Sequence, residues 1–225
     1  MNARVLVVGA GGLGCPASLA LASAGVQRLT LADPDRVDAT NLHRQLWYRA
    51  SDVGQLKVHA AASRLAHAFP SLEVTALPEK VDATSAAALF QQHDLVIDGT
   101  DGVGDKFSLS EAAVRTGVPL IYGGVLRLDG QAMAIRRGGP CLRCLFESIH
   151  PDDAPSCAQA GVLGSMAGVI GGLQALLALQ ELRGETAVAA GTAVLHAIDG
   201  RSLVSRALTV RKAPDCASCA KAVAA

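Results

Sequence analysis

The sequence has no surplus of charge: 20 basic and 20 acidic side chains in 225 residues give a formal net charge of zero. A chain so balanced carries no overall electrostatic footprint for nucleic acid or an anionic bilayer, so any phosphate site must be local. Aromatic residues are scarce, at 3%, although 50% of the chain is hydrophobic. Alanine, valine, leucine and glycine must therefore build the interior, which suits helices packed closely on a parallel sheet. The opening stretch, MNARVLVVGAGGLG, lacks the uninterrupted apolar centre of a secretory signal and reads as a first strand. We find no internal repeat and no linker that would separate two independent domains, so residues 1–225 are expected to form one.

Cysteine is present but not in the pattern of a disulfide framework. Four of the six cysteines fall in two C-x-x-C pairs far apart, CLRC (141–144) and CASC (216–219), which suggests metal in a reducing compartment, with the cytoplasm as the default. One long apolar stretch, Gly161 to Leu182, approaches the length of a membrane span. It carries Gln174 and Gln180, has no basic clusters at its flanks, and no second span follows, so a buried helix is the expectation. Its glycines at 164, 168 and 172 recur every four residues, a spacing that lets a helix approach a neighbour closely.

The remaining chain alternates strand and helix. VLVVG (5–9) is a continuous β-branched run; a helix is predicted over 16–24, and RLTLAD (28–33) completes a βαβ unit. Helices are predicted over 55–69 and 83–93 and from about 100 to 117, with strands at 72–77, 94–100 and 119–124. This alternation implies a Rossmann-like, doubly wound, mostly parallel sheet. Beyond it, VLRLDGQAMAI (125–135) and VLHAIDGRSLV (194–204) each place Asp-Gly between alternating apolar residues, which predicts antiparallel hairpins extending the same sheet. Residues 1–124 then read as a nucleotide-binding half and 125–225 as a second half.

GAGGLG (9–14) presents Gly9, Gly11 and Gly14 in a G-x-G-x-x-G pattern directly after a strand and before a helix. Glycine there permits a tight turn and close approach to phosphate, and the helix N-terminus offers unpaired N–H groups. Asp33, at the end of the next strand, is placed to accept hydrogen bonds from a ribose. An NAD-dependent oxidoreductase would look the same to this point. Arg44, Asn41 and Lys57 add more cationic and polar equipment than a nicotinamide requires and suit a triphosphate, while Asp101 in DGTDG could hold a magnesium ion.

Together GAGGLG, Asp33, NLHRQ (41–45), GQLKV (54–58), DGTDG (98–102), the CLRC and CASC pairs and CAQAGV resemble the ThiF/MoeB/HesA family of ubiquitin-activating-enzyme-like adenylyltransferases. The resemblance implies ATP-dependent adenylation of the C-terminal Gly-Gly carboxylate of a small ubiquitin-like sulfur-carrier protein, preparing it for thiocarboxylate formation in molybdopterin or thiamine-type biosynthesis. Position by position, it implies that Gly12 lies in the phosphate loop and Asp33 on the ribose. It further implies that Thr40, Asn41, Leu42, His43, Arg44 and Gln45 line the nucleotide site, with Lys57 on the triphosphate and Asp101 on magnesium, followed by Gly102. A homodimer and a cysteine desulfurase or rhodanese as sulfur donor are implied in the same way, with no nucleic acid or membrane partner. Two departures stand out. Strand one begins at about Arg4, leaving no room for the N-terminal helix whose arginine reaches the partner's nucleotide, and Gly102 replaces a common asparagine. Those departures leave a non-catalytic partner subunit of an activating heterodimer as a further alternative.

Cys141, Cys144, Cys216 and Cys219 make two knuckles whose four thiolates would form a closed, structural zinc site. Of the remaining two, Cys15 lies among alanines and leucines and reads as a small buried thiol. Cys157 precedes the long helix, where the dipole favours thiolate; the resemblance implies a covalent role with the carrier in some members and none in others, and an ordinary loop cysteine is the alternative reading.

Overall fold

The computed structural model describes residues 1–146 and 161–220. Eight strands form one sheet: β1 (Arg4–Val8), β2 (Arg28–Ala32), β3 (Glu73–Leu77), β4 (Leu95–Asp98), β5 (Leu120–Leu126), β6 (Asp129–Ile135), β7 (Thr192–Asp199) and β8 (Val204–Arg211). Their order is β3-β2-β1-β4-β5-β6-β7-β8. The first five are mutually parallel, and β6, β7 and β8 continue as antiparallel neighbours. Among the described residues six α-helices accompany them: α1 (Gly14–Ser23), α2 (Lys57–Ala68), α3 (Ala86–Phe90), α4 (Val103–Thr116), α5 (Leu142–Leu145) and α6 (Gly164–Arg183).

Strand periodicity divides the core between the two faces. In β1, Val5 and Val7 join the layer of α1, α2 and α6, whereas Leu6 and Val8 join that of α3, α4 and α5. A strand covered on both faces must be apolar throughout, which explains the continuous run rather than an alternating one. The chain leaves β1 toward β2 and β3, then returns to β4 on the other side. The carboxyl ends of β1 and β4 thus flank a topological switch point, where open α/β sheets bind ligands.

Two expectations about the elements need correction. The helix predicted over 83–93 shortens to α3, because the Asp82 carboxylate accepts the Thr84 and Ser85 N–H groups and holds those residues in a turn. In the first hairpin Asp129 and Gly130 belong to β6, and the two-residue turn is Arg127-Leu128, with Arg127 at φ 56°. Gly130 is required instead by α6 above it: a Cβ there would lie 2.4 Å from Ile170. The second Asp-Gly does open its turn, with Asp199 accepting the Arg201 and Ser202 N–H groups.

Helix α6 is long and apolar enough to cross a membrane, yet it lies against the sheet and α1 with Met166, Ile170, Gln174 and Leu177 buried. The glycine spacing assigned its contacts incompletely. Gly164 meets the backbone at His43 and Gly171 meets Leu13, whereas Cβ atoms at Gly168 and Gly172 would meet nothing within 4 Å.

Candidate nucleotide site and metal centre

A cavity of about 810 Å³ opens at the switch point, lined by Gly9, Gly11, Gly12, Asp33, Arg44, Gln45, Lys57 and Asp101 among others. Two glycines in this turn are demanded by space. Gly9 sits at φ 94°, and a Cβ on Gly14 would lie 1.8 Å from the Gly9 carbonyl oxygen. Only bare backbone lets the turn fold this tightly and leave its N–H groups facing the cavity at the start of α1.

Asp33 is 6% exposed. One carboxylate oxygen accepts the Ala10 N–H at 2.7 Å and the other accepts the Asp35 N–H at 2.8 Å. Burial pushes its carboxyl above the ordinary value, while Lys57 and these two N–H groups pull the opposite way. A carboxylate offers about four lone-pair positions, so capacity remains for ribose hydroxyls.

Lys57 opens α2, where a cation opposes the helix dipole. Its ammonium is 2.8 Å from an Asp35 carboxylate oxygen, which offsets that opposition. A bound polyphosphate would be favoured by both the ammonium and the helix end. Arg44 and Gln45 reach the cavity from a short turn whose carbonyl at Asn41 accepts both of their N–H groups. Thr40, Asn41, Leu42 and His43 do not line the cavity and build this turn instead. The Asp38 carboxylate caps it through Thr40, Leu42 packs on the core, and the His43 ring lies 3.4 Å from the Arg44 guanidinium.

Asp101 is exposed and lines the cavity, as does Asp105, so the wall offers carboxylate oxygens of the kind a hard cation takes. Gly102 lies outside the lining, and a Cβ there would meet the Asp105 carboxylate at 2.8 Å. The glycine thus admits Asp105, which pairs with Lys80 at 3.1 Å.

Sequence reasoning missed three contributors. Tyr48, 5% exposed, donates its hydroxyl to the Ala10 carbonyl at 2.6 Å and lies 3.2 Å from the Lys57 carbonyl. Asp98 and Lys106 form a buried ion pair at the end of β4. The scarcity of aromatics was a usable signal, since the chain has only two tyrosines, Tyr48 and Tyr122, and both hydroxyls are engaged at this site. Cys15 is buried as expected, and burial pushes its thiol up to about 12.

The Sγ atoms of Cys141, Cys144, Cys216 and Cys219 all lie within 4.8 Å of one another. Cys141 and Cys216 are 3.6 Å apart and Cys144 and Cys219 3.4 Å. Tetrahedral ligands at about 2.3 Å from a zinc ion are about 3.8 Å apart, so the cluster could hold a metal with little adjustment. Cys157 lies outside the described residues.

The chain matches the ThiF family over residues 1–218. It is 42% identical over 224 residues to the adenylyltransferase and sulfurtransferase MOCS3 of Anopheles gambiae, covering 98% of this chain and 50% of that protein. Similarity to the sulfur carrier protein adenylyltransferase of Thermus thermophilus is 40%, over 97% of this chain and 82% of the relative. The molybdopterin-synthase adenylyltransferase of Escherichia coli is 39% identical, over 97% and 87% respectively. The chain thus spans about half the length of the MOCS3 relative and most of the two bacterial ones. Escherichia coli MccB crystallised with MccA-N7isoASN shares the fold, with a TM-score of 0.81 at 18% identity over 98% of this chain and 67% of MccB. With its glycine turn, its cavity at the switch point and its four-cysteine cluster in place, the chain belongs to the ThiF family.

Proposed function

We propose that this chain is an adenylyltransferase that uses ATP to activate the C-terminal Gly-Gly carboxylate of a small ubiquitin-like sulfur-carrier protein. The observation that carries the proposal is the convergence of the glycine turn, Asp33, Arg44, Lys57 and Asp101 on one cavity, in a chain about 40% identical to adenylyltransferases. Asp33 would orient the ribose, and the N–H groups at the start of α1 would meet the phosphates. Arg44 and Lys57 would carry the charge of the β- and γ-phosphates. An oxygen of the carrier's carboxylate then attacks the α-phosphorus. A new O–P bond forms as the bond to the β-phosphate oxygen breaks, the electron pair leaves with pyrophosphate, and no proton is transferred.

Because negative charge builds on the leaving group, the fixed cations act most strongly in the transition state. Magnesium held by Asp101 would supply further positive charge there. Past the phosphates the cavity continues along β5 and β6 between Gly124, Gln131 and Phe146, a course suited to an extended tail ending in two glycines. Residues 1–124 would thus bind the nucleotide and 125–225 the carrier, within one domain. Zinc is the metal proposed for the four cysteines. Its thiolates leave no open ligand position, so its role is structural. The carrier would serve molybdopterin or thiamine-type biosynthesis, with a cysteine desulfurase or rhodanese as sulfur donor and a cytoplasmic homodimer as the working form.

The test is ATP–pyrophosphate exchange with carriers ending in Gly-Gly. Exchange should require both carrier and magnesium, and Asp101→Ala should lower kcat by about 100-fold or more. Absence of exchange with every such carrier would sink the proposal.

A further inference from the structure

Asp98 ends β4 three residues before Asp101 and is wholly buried. One of its oxygens accepts the Thr100 N–H at 3.0 Å and the Thr100 hydroxyl at 2.7 Å. Facing it, one turn into α4, the Lys106 ammonium stands 3.3 and 3.2 Å from the two carboxylate oxygens and donates to the Gly123 carbonyl on β5 at 2.6 Å. The same ammonium lies 5.4 Å from the Tyr122 ring centre. From α6, the Gln174 side-chain amide donates to the Asp98 carbonyl at 2.7 Å and to the Ile121 carbonyl at 3.0 Å. Three elements therefore converge on the backbone that presents Thr100 and Asp101 to the cavity, and Lys106 ties Asp98 to β5 there.

A buried ion pair is a poor way to gain stability, since well-packed apolar residues often serve as well or better. Its value lies in directed geometry. Asp98 accepts the Thr100 donors and Lys106 together, which fixes where the chain turns out of β4. Lys106 is only 9% exposed and lines the cavity wall, yet Arg44 and Lys57 stand on the opposite, glycine-turn side. We propose that Lys106 is a positioning residue for adenylation, acting through Asp98 to hold the Thr100–Asp101 turn so that the Asp101 carboxylate faces the magnesium and phosphate position. This inference rests on the adenylyltransferase reading above.

The experiment compares the full chain with Lys106→Met, Lys106→Arg and the double variant Asp98→Asn/Lys106→Met. Two readouts are taken: exchange kinetics, and calorimetric ATP binding with magnesium or with EDTA. Lys106→Met should lower kcat by about 30-fold or more and raise KM for ATP only as far as the magnesium-dependent part of ATP binding is lost, since the lysine acts on the turn and not on the nucleotide. Magnesium should strengthen ATP binding in the parent chain, and Lys106→Met should lose most of that strengthening. Lys106→Arg should restore at least about a third of kcat, because charge and reach are kept. If the single variant fails to fold, the double variant leaves no unpaired buried charge and should show the same two losses. A folded neutral variant that keeps kcat within about twofold, or keeps the parent's response to magnesium, overturns the proposal. Should the parent show no exchange at all, the adenylyltransferase reading fails, while the binding arm still decides Lys106. A parent whose ATP binding ignores magnesium would overturn the placement of Asp101, and Lys106 with it.

Discussion

Tyr48 carries one hydroxyl into a place where two backbone carbonyls, those of Ala10 and Lys57, approach each other from the glycine turn and from the first residue of α2. The Ala10 N–H is already held by Asp33, so Ala10 is tied on both sides. Arg64 fixes the loop that delivers Tyr48, by donating to the Trp47 carbonyl and to the Asp52 carboxylate. The tyrosine thus couples the glycine turn to the start of α2, the two elements proposed above to cradle the phosphates. Removing the hydroxyl leaves the buried Ala10 carbonyl with only the weak Cys15 thiol as a side-chain donor, at a cost of about 1–3 kcal/mol. Part of that cost will appear as lost stability and part as a looser cradle. For Tyr48→Phe we expect KM for ATP to rise about five- to tenfold with kcat falling less than about threefold, the mark of lost ground-state binding. Unchanged KM in steady-state exchange assays would show that the hydroxyl only stabilises the fold.

At the scale of elements, α6 separates two uses of glycine on one helix. A Cβ at Gly171 would lie 2.5 Å from the Leu13 carbonyl oxygen on the approach to α1, so no side chain fits without moving backbone. At Gly168 the same atom would meet nothing within 4 Å. Thermal melts should therefore split the pair. Gly168→Ala is expected to stabilise by about 0.5–1 kcal/mol through helix propensity, and Gly171→Ala to destabilise by about 1–3 kcal/mol through overpacking. Shifts of the same sign in both variants would contradict this geometry. Local sequence could reveal that α6 is a buried helix but not which glycine touches α1, because that depends on how the helix is rotated against a neighbour about 150 residues away in the chain. The first hairpin teaches the same lesson. Asp-Gly is a local turn signal, whereas the register of β5 on β6 is set by their ladder, with Leu126 opposite Asp129, and the turn falls at Arg127 and Leu128. Strands β1 and β4 were legible because burial on both faces leaves a continuous apolar run that needs no partner to be recognised.

Across the whole molecule, the residues that were readable in advance are those displayed by a local motif: the glycine turn, Asp33 at a strand end, Arg44 and Lys57 in their own short signatures. Tyr48, Asp98 and Lys106 act through contacts that only the assembled sheet creates. The four cysteines stand between these cases, since each knuckle is local but their meeting joins the loop after β6 to the segment after β8. That union bears on the cavity as well as on the chain end. Cys141 precedes α5 and Cys144 lies within it, and Leu142 and Phe146 from the same segment line the cavity wall. A structural metal in the cluster would therefore contribute folding energy and also brace the part of the wall proposed to receive the carrier. Protein purified under reducing conditions should contain about one zinc per chain by elemental analysis. Chelation, or Cys216→Ser, should lower the melting temperature by about 5–15 °C, a loss of several kcal/mol at this chain length. Because Asp33, Lys57 and Arg44 sit on the other side of the switch point, the metal-depleted protein should retain ATP binding within about threefold while KM for the carrier rises more steeply. A melting temperature indifferent to chelation would remove the structural role. Equal losses in ATP and carrier affinity would remove the bracing role and leave the metal as a general staple of the fold.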